Sequence, residues 1–279
     1  MPRAKKSLGQ NFLTADSVAR RIADAVGAAP GDLVFEIGPG RGALTIPLAR
    51  SGATIVAFEI DEELVRLLKE RCRDLPTVEI YHADVRTVNF DAAADERGAA
   101  SYKIAGNIPY HLTSTILIGL ATLRLCAGAV LMVQREVGER ILAPPGDRRC
   151  GILSIFLRSY YIIEKVLKVR PGSFTPPPKV ESVVLAFTPD RSVDGPDERE
   201  DYLAVLKGAF RHRRKKLRSM LDEILGGPEG SLRSGTKGAS YVEEIASRSG
   251  VDIDRRPEAL GLDSWFRLYA AIRRVKEAR

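Results

Sequence analysis

An α/β fold followed by a smaller all-helical C-terminal domain is what this sequence predicts, on three observations. From Leu33 to Phe187, short aliphatic runs alternate with helical stretches, the pattern of a mostly parallel sheet covered by helices on both faces. The first of those runs flows into the glycine-rich turn Gly38-Pro39-Gly40-Arg41-Gly42, which places a ligand crevice at the carboxyl ends of the strands. Beyond the polar stretch Asp190 to Glu200, with its Gly195 and Pro196, only helical spacing of apolar residues continues. The expected division is a ligand-binding domain over 1–190, capped by its own N-terminal segment, and a helical domain over 197–279.

Taken in order, residues around Asp16 to Val26 read as a helix placed to cover the ligand. Leu33 to Ile37 is the first strand, and the glycines after it let the backbone approach a ligand closely before a helix opens with unpaired N–H groups. The spacing is G-x-G-x-G and departs from the G-x-G-x-x-G dinucleotide fingerprint. Thr54 to Phe58 is the second strand and ends in Glu59, whose carboxylate can take both hydroxyls of a ribose; taken alone, that acid fits NAD or S-adenosylmethionine. The third strand, Val78 to His82, delivers Asp84 to the same edge, where it can accept from an adenine amino group. The fourth, Tyr102 to Gly106, runs into Asn107-Ile108-Pro109-Tyr110. Two acids after successive strands, then Asn107, form the S-adenosylmethionine pattern.

The tetrapeptide carries chemistry of its own. An aromatic amine is a poor nucleophile while its lone pair is delocalised into the ring, so a catalyst must hold both N–H groups with acceptors. The Asn107 side-chain carbonyl is one acceptor. The Ile108 backbone carbonyl is the other, since the residue before a proline is confined to extended conformations and Pro109 brings no N–H to compete. Tyr110 supplies a stacking face for a flipped base. N-x-P-Y in isolation is no more than a proline turn with a packed tyrosine, and its place after the two acids is what gives it this meaning. His111 is not assigned as a general base, because transfer from a sulfonium does not require prior deprotonation of the amine.

Further strands follow at Ala129 to Val133, Tyr161 to Val166 and Ser182 to Phe187. The proline-stiffened loop Pro171 to Lys179 is expected to hold Phe174 exposed near the strand ends, as a second ring against the base. In the helical domain, apolar stripes recur at Tyr202, Leu206 and Phe210, at Leu217, Leu221 and Leu225, and at Trp265, Leu268, Tyr269 and Ile272, while Gly226 to Gly238 reads as a mobile connection. Arg211, Arg213, Arg214, Lys215, Lys216 and Arg218 form a run with no intervening acid, suited to tracking a phosphate backbone. Such groups position an RNA without reading its sequence.

With these motifs in place, the chain resembles the ribosomal small-subunit RNA adenine dimethyltransferases, the KsgA family. The likeness covers the segment from Lys6 to Leu13, the glycine turn, Glu59, Asp84, the N-I-P-Y tetrapeptide, Gln134 to Val137, Ser173 to Val180 and the block Arg213 to Arg218. One departure is Arg149-Cys150-Gly151, where the family pattern has an aromatic residue before the glycine. The resemblance implies a Rossmann-like class I methyltransferase sheet with one antiparallel strand, and contacts to S-adenosyl-L-methionine from Asn11, Leu13, Gly38, Gly40, Glu59, Asp84 and Asn107. It implies dimethylation of two adjacent adenosines in the 3′-terminal hairpin of small-subunit (16S) rRNA within an assembling subunit. The alternatives are a large-subunit rRNA adenine methyltransferase of the antibiotic-resistance type and a noncatalytic RNA-binding assembly factor. Intact Glu59, Asp84, Asn107 and Tyr110 weigh against the second, and Arg213 to Arg218 with Arg256 to Leu260 against the first.

Composition fits this reading. A formal charge of +7 favours a polyanionic partner. Cys72, Cys126 and Cys150 show neither C-x-x-C spacing nor an even number, so no disulfide framework or metal site is expected. The N-terminus has Arg3, Lys5 and Lys6 but no apolar h-region, and no run approaches membrane-spanning length, which leads to the expectation of a cytoplasmic protein without a membrane partner.

Overall fold

The computed structural model describes all residues except 1, 6–7, 194, 213, 227–235 and 279, together with the side chains of 222, 226 and 236–240. Lys6 and Arg213 of the motifs above, and most of the glycine-serine connection, therefore lie outside the described residues.

Packing divides the chain into two compact units, 1–138 with 161–189, and 139–160 with 190–279. The first is built on a seven-stranded sheet of β2 (Leu33–Ile37), β3 (Thr54–Glu59), β4 (Val78–His82), β5 (Tyr102–Asn107), β6 (Cys126–Gln134), β7 (Tyr161–Val169) and β9 (Ser182–Pro189). Their order across the sheet is β4-β3-β2-β5-β6-β9-β7. All pairs are parallel except those of β9, which runs antiparallel to both β6 and β7. Every residue of β2 is buried, as a central strand covered on both faces requires.

One face packs Val34, Ile55, Ala105 and Val130 under α1 (Asp16–Val26) and α2 (Thr45–Ala49), while Val65 and Leu68 of α3 (Glu62–Arg71) pack with Ala57 and Ile80 toward the β4 edge. On the other, the Phe35 ring meets Tyr102 at 4.8 Å and Phe90 of α4 (Phe90–Asp95) at 5.3 Å. The apolar stripe of α1, Ala19, Ile22 and Val26, is buried against the sheet, and Ile22 contributes to the crevice wall beside the segment before the helix, Leu8 to Leu13.

From β2 the chain builds outward to β3 and β4, then returns to β5 on the other side of β2, creating the switch point where α/β sheets bind ligands. The register pairs Ile37 with Phe58 and with Gly106, so the residues that follow these strands emerge side by side. Gly106 is required there, since a Cβ would lie 2.7 Å from the Ile37 carbonyl oxygen. After β5 the chain enters α5 (Thr113–Leu120), which buries Ile116, Leu117 and Leu120.

A two-stranded ribbon, β1 (Phe12–Leu13) with β8 (Phe174–Thr175), has no signal in the sequence. It pairs Leu13 with Phe174 and is extended by the Thr14 N–H donating to the Ser173 carbonyl at 2.8 Å.

The first cut between the units falls within α6 (Arg135–Ile141). The second unit holds α7 (Ile152–Arg158), α8 (Arg199–Ala209), α9 (Leu217–Gly226), α10 (Thr236–Ser249) and α11 (Leu262–Glu277). Tyr202 is its hub, with ring contacts to Phe156, Phe266 and Tyr269 at 6.2, 6.1 and 5.3 Å. Trp265 is fully buried and stacks on Phe210. The contacts of Phe156, and a 3.3 Å bond between the Ser159 and Tyr202 hydroxyls, explain why 139–160 belongs to this unit. The single cut expected between 190 and 197 thus becomes more than one.

Candidate functional site

The crevice at the strand ends is lined by Leu8 to Leu13, Glu36 to Arg41, Phe58 to Ile60, Ala83 to Val85 and Asn107 to Tyr110. Asn11, Leu13, Gly38, Gly40, Glu59, Asp84, Asn107, Ile108, Pro109 and Tyr110, drawn from five separate segments, therefore surround one pocket.

At its floor the glycine turn is locked to β3. The Gly38 N–H donates to the Phe58 carbonyl at 3.1 Å, and the Gly40 N–H donates to Glu59 Oε2 at 3.0 Å. Gly40 has φ +59°, and a Cβ on it would press to 3.1 Å from the Phe12 ring, so only glycine keeps this turn. The other oxygen of Glu59 accepts from the Asp61 N–H at 3.0 Å. Glu59 is 5% exposed; burial raises its pKa, while the backbone donors of Asp61, Gly40 and Ile60 oppose that rise. A carboxylate offers about four acceptor positions. Those three backbone donors leave room on Glu59 for a further donor, such as a ribose hydroxyl. The helix after the turn, α2, is only five residues long, so the anion-binding helix start expected from the sequence is slight.

Asp84 caps a single helical turn, accepting from the Arg86 N–H at 3.0 Å, and is gripped by the Arg86 guanidinium. That cation holds its carboxyl below the usual range. Asn107 donates its side-chain N–H to the Asn11 carbonyl at 3.1 Å, which fixes the amide and leaves its carbonyl oxygen as an acceptor. Ile108 is buried and anchored through its N–H to the Met132 carbonyl at 3.2 Å; among the described residues its own carbonyl has no partner. Pro109 then turns the chain, and Tyr110 is held at its hydroxyl by Ser182 Oγ at 2.9 Å.

Phe174 does not join them. It is 3% exposed and packs in the core with Leu13, Ile22 and Val169. The expected exposed ring is corrected: strand pairing with Leu13 turns Phe174 inward, where it supports the pocket wall from behind.

Three features lack a sequence signal. Glu36, on β2, is 1% exposed and lines the pocket; burial pushes its pKa up to about 8, and its Oε2 has no partner among the described residues. An orphaned acidic oxygen in a pocket floor fits a ligand that brings a hydrogen-bond donor or a cation. Asp61 forms the second feature. It is 3% exposed and accepts from Lys5 Nζ at 2.8 Å, Gln10 Nε2 at 3.0 Å and the Glu63 N–H at 3.1 Å, which ties the N-terminal segment beside the pocket. Burial works to raise its pKa, but those bonds, led by Lys5, bring it below the usual range. Ser182, behind Tyr110, is the third.

In the helical unit the cation run is less free than its sequence suggests. Arg211 meets Glu223 at 3.7 Å, Lys216 meets Asp254 at 3.4 Å, and Arg218 bonds both Glu243 and Asp254. Arg214 and Lys215 are exposed with no acidic partner among the described residues. Acids distant in sequence thus interrupt a run that has none of its own.

The sequence profile described as ribosomal RNA adenine dimethylase matches residues 1–249. The chain is 39% identical to the ribosomal RNA small subunit methyltransferase A of Geobacter metallireducens over 272 residues, covering 97% of this chain and 96% of that one. Its structure resembles that of a dimethyladenosine transferase from Plasmodium falciparum, with TM-score 0.81 and 25% identity over 95% of this chain and 98% of that one. A 23S rRNA methyltransferase is less similar, at TM-score 0.67 and 25% identity over 94% of this chain and 100% of that one.

Proposed function

Since the chain belongs to the ribosomal RNA adenine dimethylase family, we propose that it dimethylates the exocyclic nitrogen of two adjacent adenosines in the 3′-terminal hairpin of small-subunit rRNA, within an assembling subunit. The observation that carries this reading is the pairing of two free carbonyl acceptors, Asn107 and Ile108, with the glycine turn and Glu59 in a single pocket. The small-subunit choice is supported by the relative of that name, which matches along nearly its whole length.

S-adenosylmethionine, when bound, supplies the electrophilic methyl group. On this reading Glu59 holds the ribose hydroxyls, Asp84 the adenine amino group, and the Asn11 to Leu13 and Gly38 to Gly40 segments the remainder. The orphaned oxygen of Glu36 supports that assignment, because this cofactor carries an ammonium donor.

The acceptor side follows from the chain's own groups. Asn107 and Ile108 each take one N–H of the target amine, which draws its lone pair out of the ring and aims it across the pocket. The Tyr110 ring stacks on the base, with Ser182 limiting its rotation. Positioning of this kind can supply much of a rate enhancement without proton transfer from the enzyme. The cations at 211–218, Arg214 and Lys215 first among them, would meet the RNA backbone. Among the described residues no helix is long and apolar enough to cross a membrane.

The test is to incubate the protein with S-adenosylmethionine and unmethylated small subunits, digest the RNA and weigh its nucleosides. Two dimethyladenosines per small subunit are expected, and none in large-subunit RNA; the reverse distribution, or no methylated adenosine, overturns the proposal.

A further inference from the structure

Glu59 and Asp84 stand at neighbouring strand ends, yet only one of them is ready for a ligand. The partners of Glu59 are backbone N–H groups that cannot withdraw. Asp84 is instead occupied by a side chain: Arg86 Nε lies 3.0 Å from both carboxylate oxygens, Nη2 bonds Oδ2, and the Arg86 N–H bonds Oδ1 at 3.0 Å. With about four acceptor positions on a carboxylate, these bonds leave none for an incoming amine.

We propose that Arg86 competes with the cofactor for Asp84 and so sets how strongly the site selects an adenine amino group. This inference rests on reading Asp84 as the adenine acceptor. Arg86 is able to leave. Its side chain is 53% exposed and lines an adjoining cavity of about 380 Å³, together with Val85, Thr87 to Phe90 and Thr115, Ile116, Gly119 and Leu120 of α5. The backbone N–H to Oδ1 bond persists when it does, so the carboxylate keeps its orientation while Oδ2 becomes free for the ligand. Arg86 also changes what the site tolerates. A 6-oxo purine offers Arg86 an acceptor, whereas a 6-amino purine must displace it.

Calorimetry with S-adenosylhomocysteine and S-inosylhomocysteine tests this without any turnover. Arg86→Ala is expected to bind S-adenosylhomocysteine about two- to fivefold more tightly than the parent, the range set by an exposed ion pair, and to discriminate more strongly against S-inosylhomocysteine. The ratio of variant to parent affinity should fall toward one at about 1 M salt, where the Debye length is roughly 3 Å. Arg86→Gln, which keeps the stem, should behave like Arg86→Ala and guards against a packing effect. Asp84→Asn separates the two levels of inference. If it leaves S-adenosylhomocysteine affinity unchanged, the adenine-acceptor reading and this proposal both fail. If it weakens binding while both Arg86 variants match the parent in affinity and discrimination, competition alone is overturned.

Discussion

In the pocket at the sheet edge, the Glu59 carboxylate is 5% exposed and bound by backbone N–H groups, whereas Arg211, Lys216 and Arg218 lie at the surface and meet acids only through side chains. The first arrangement is fixed before any ligand arrives, because backbone donors have nowhere else to go. The second is exchangeable: a phosphate offers arginine the same planar geometry as a carboxylate, and water screens both. Preorganised groups suit chemistry, where misplacement is costly, and exchangeable ones suit docking on a long polyanion. Asp84 is the exception that sharpens the contrast, since it lies in the pocket but is held in the manner of the surface cluster.

The largest effect is expected at the most preorganised acceptor. On the proposed reading, Asn107→Ala removes the carbonyl that would hold the target amine, and by analogy with the removal of one preorganised hydrogen-bonding group it should lower single-turnover methyl transfer by about 10²- to 10³-fold. RNA affinity should persist. A variant with near-parental rates would show that the fixed region does not carry the chemistry.

On the same reading, Glu59→Ala removes a ribose acceptor and should greatly weaken S-adenosylhomocysteine binding. Stability should fall as well, since the Gly40 and Asp61 N–H groups are left without their acceptor, at a cost of about 1–3 kcal/mol for each that remains buried and unpaired. Thermal melts should therefore show a clear fall, and an unchanged Tm would mean that the turn is not locked as described. Phe174→Ala tests the wall behind. Truncating a buried phenylalanine costs about 3–5 kcal/mol, so a drop in Tm is expected; a reduced rate with parental stability would restore Phe174 to the base-stacking role.

What can be read from the sequence, and what cannot, follows from the same physics. The strand ends are legible because short aliphatic runs, a glycine turn and the polar residues after each strand are local signals, and the parallel register then brings Glu59 and Asn107 to one edge. Phe174 is misread because flanking prolines signal a loop, while its partner Leu13 is far away in sequence. Likewise, Lys5 and Gln10 reach Asp61, Ser182 backs Tyr110, and Asp254 reaches Arg218, all pairings that the fold alone creates. Which unit residues 139–160 join is set by contacts with Tyr202, through the Phe156 ring and the Ser159 hydroxyl, that the fold alone creates.

A smaller effect concerns pH. Burial raises the Glu36 pKa to about 8, above its value near 4.5 in the unfolded chain. Between those values the folded state binds the extra proton, so this group contributes stability at low pH that is lost as pH rises through about 8. Glu36→Gln keeps a neutral side chain throughout and should flatten the decline of Tm between pH 5 and pH 8, within the window those values define. Burial also raises Glu59, so a residual slope remains in the variant. An identical slope in both proteins would mean that Glu36 is solvated and that the pocket floor is not preorganised.

The smallest effect belongs to the exchangeable region and divides it internally. Replacing Arg214 and Lys215 by glutamine removes cations without acidic partners among the described residues, so each phosphate left unneutralised should flatten the slope of log affinity against log salt by about 0.7–0.9. Replacing Lys216 and Arg218 should change it less, because Asp254 and Glu243 already neutralise those charges and must be left behind when RNA binds. S-adenosylhomocysteine affinity should stay at the parental value in both variants, since none of these side chains lines the pocket. Equal slopes for the two pairs would show that the carboxylates exchange for phosphate at no cost. Slopes equal to the parent's in both would make the whole run a solvated face and move RNA docking to the sheet unit, where the contrast between fixed and exchangeable charge would have to be drawn within one set of strands.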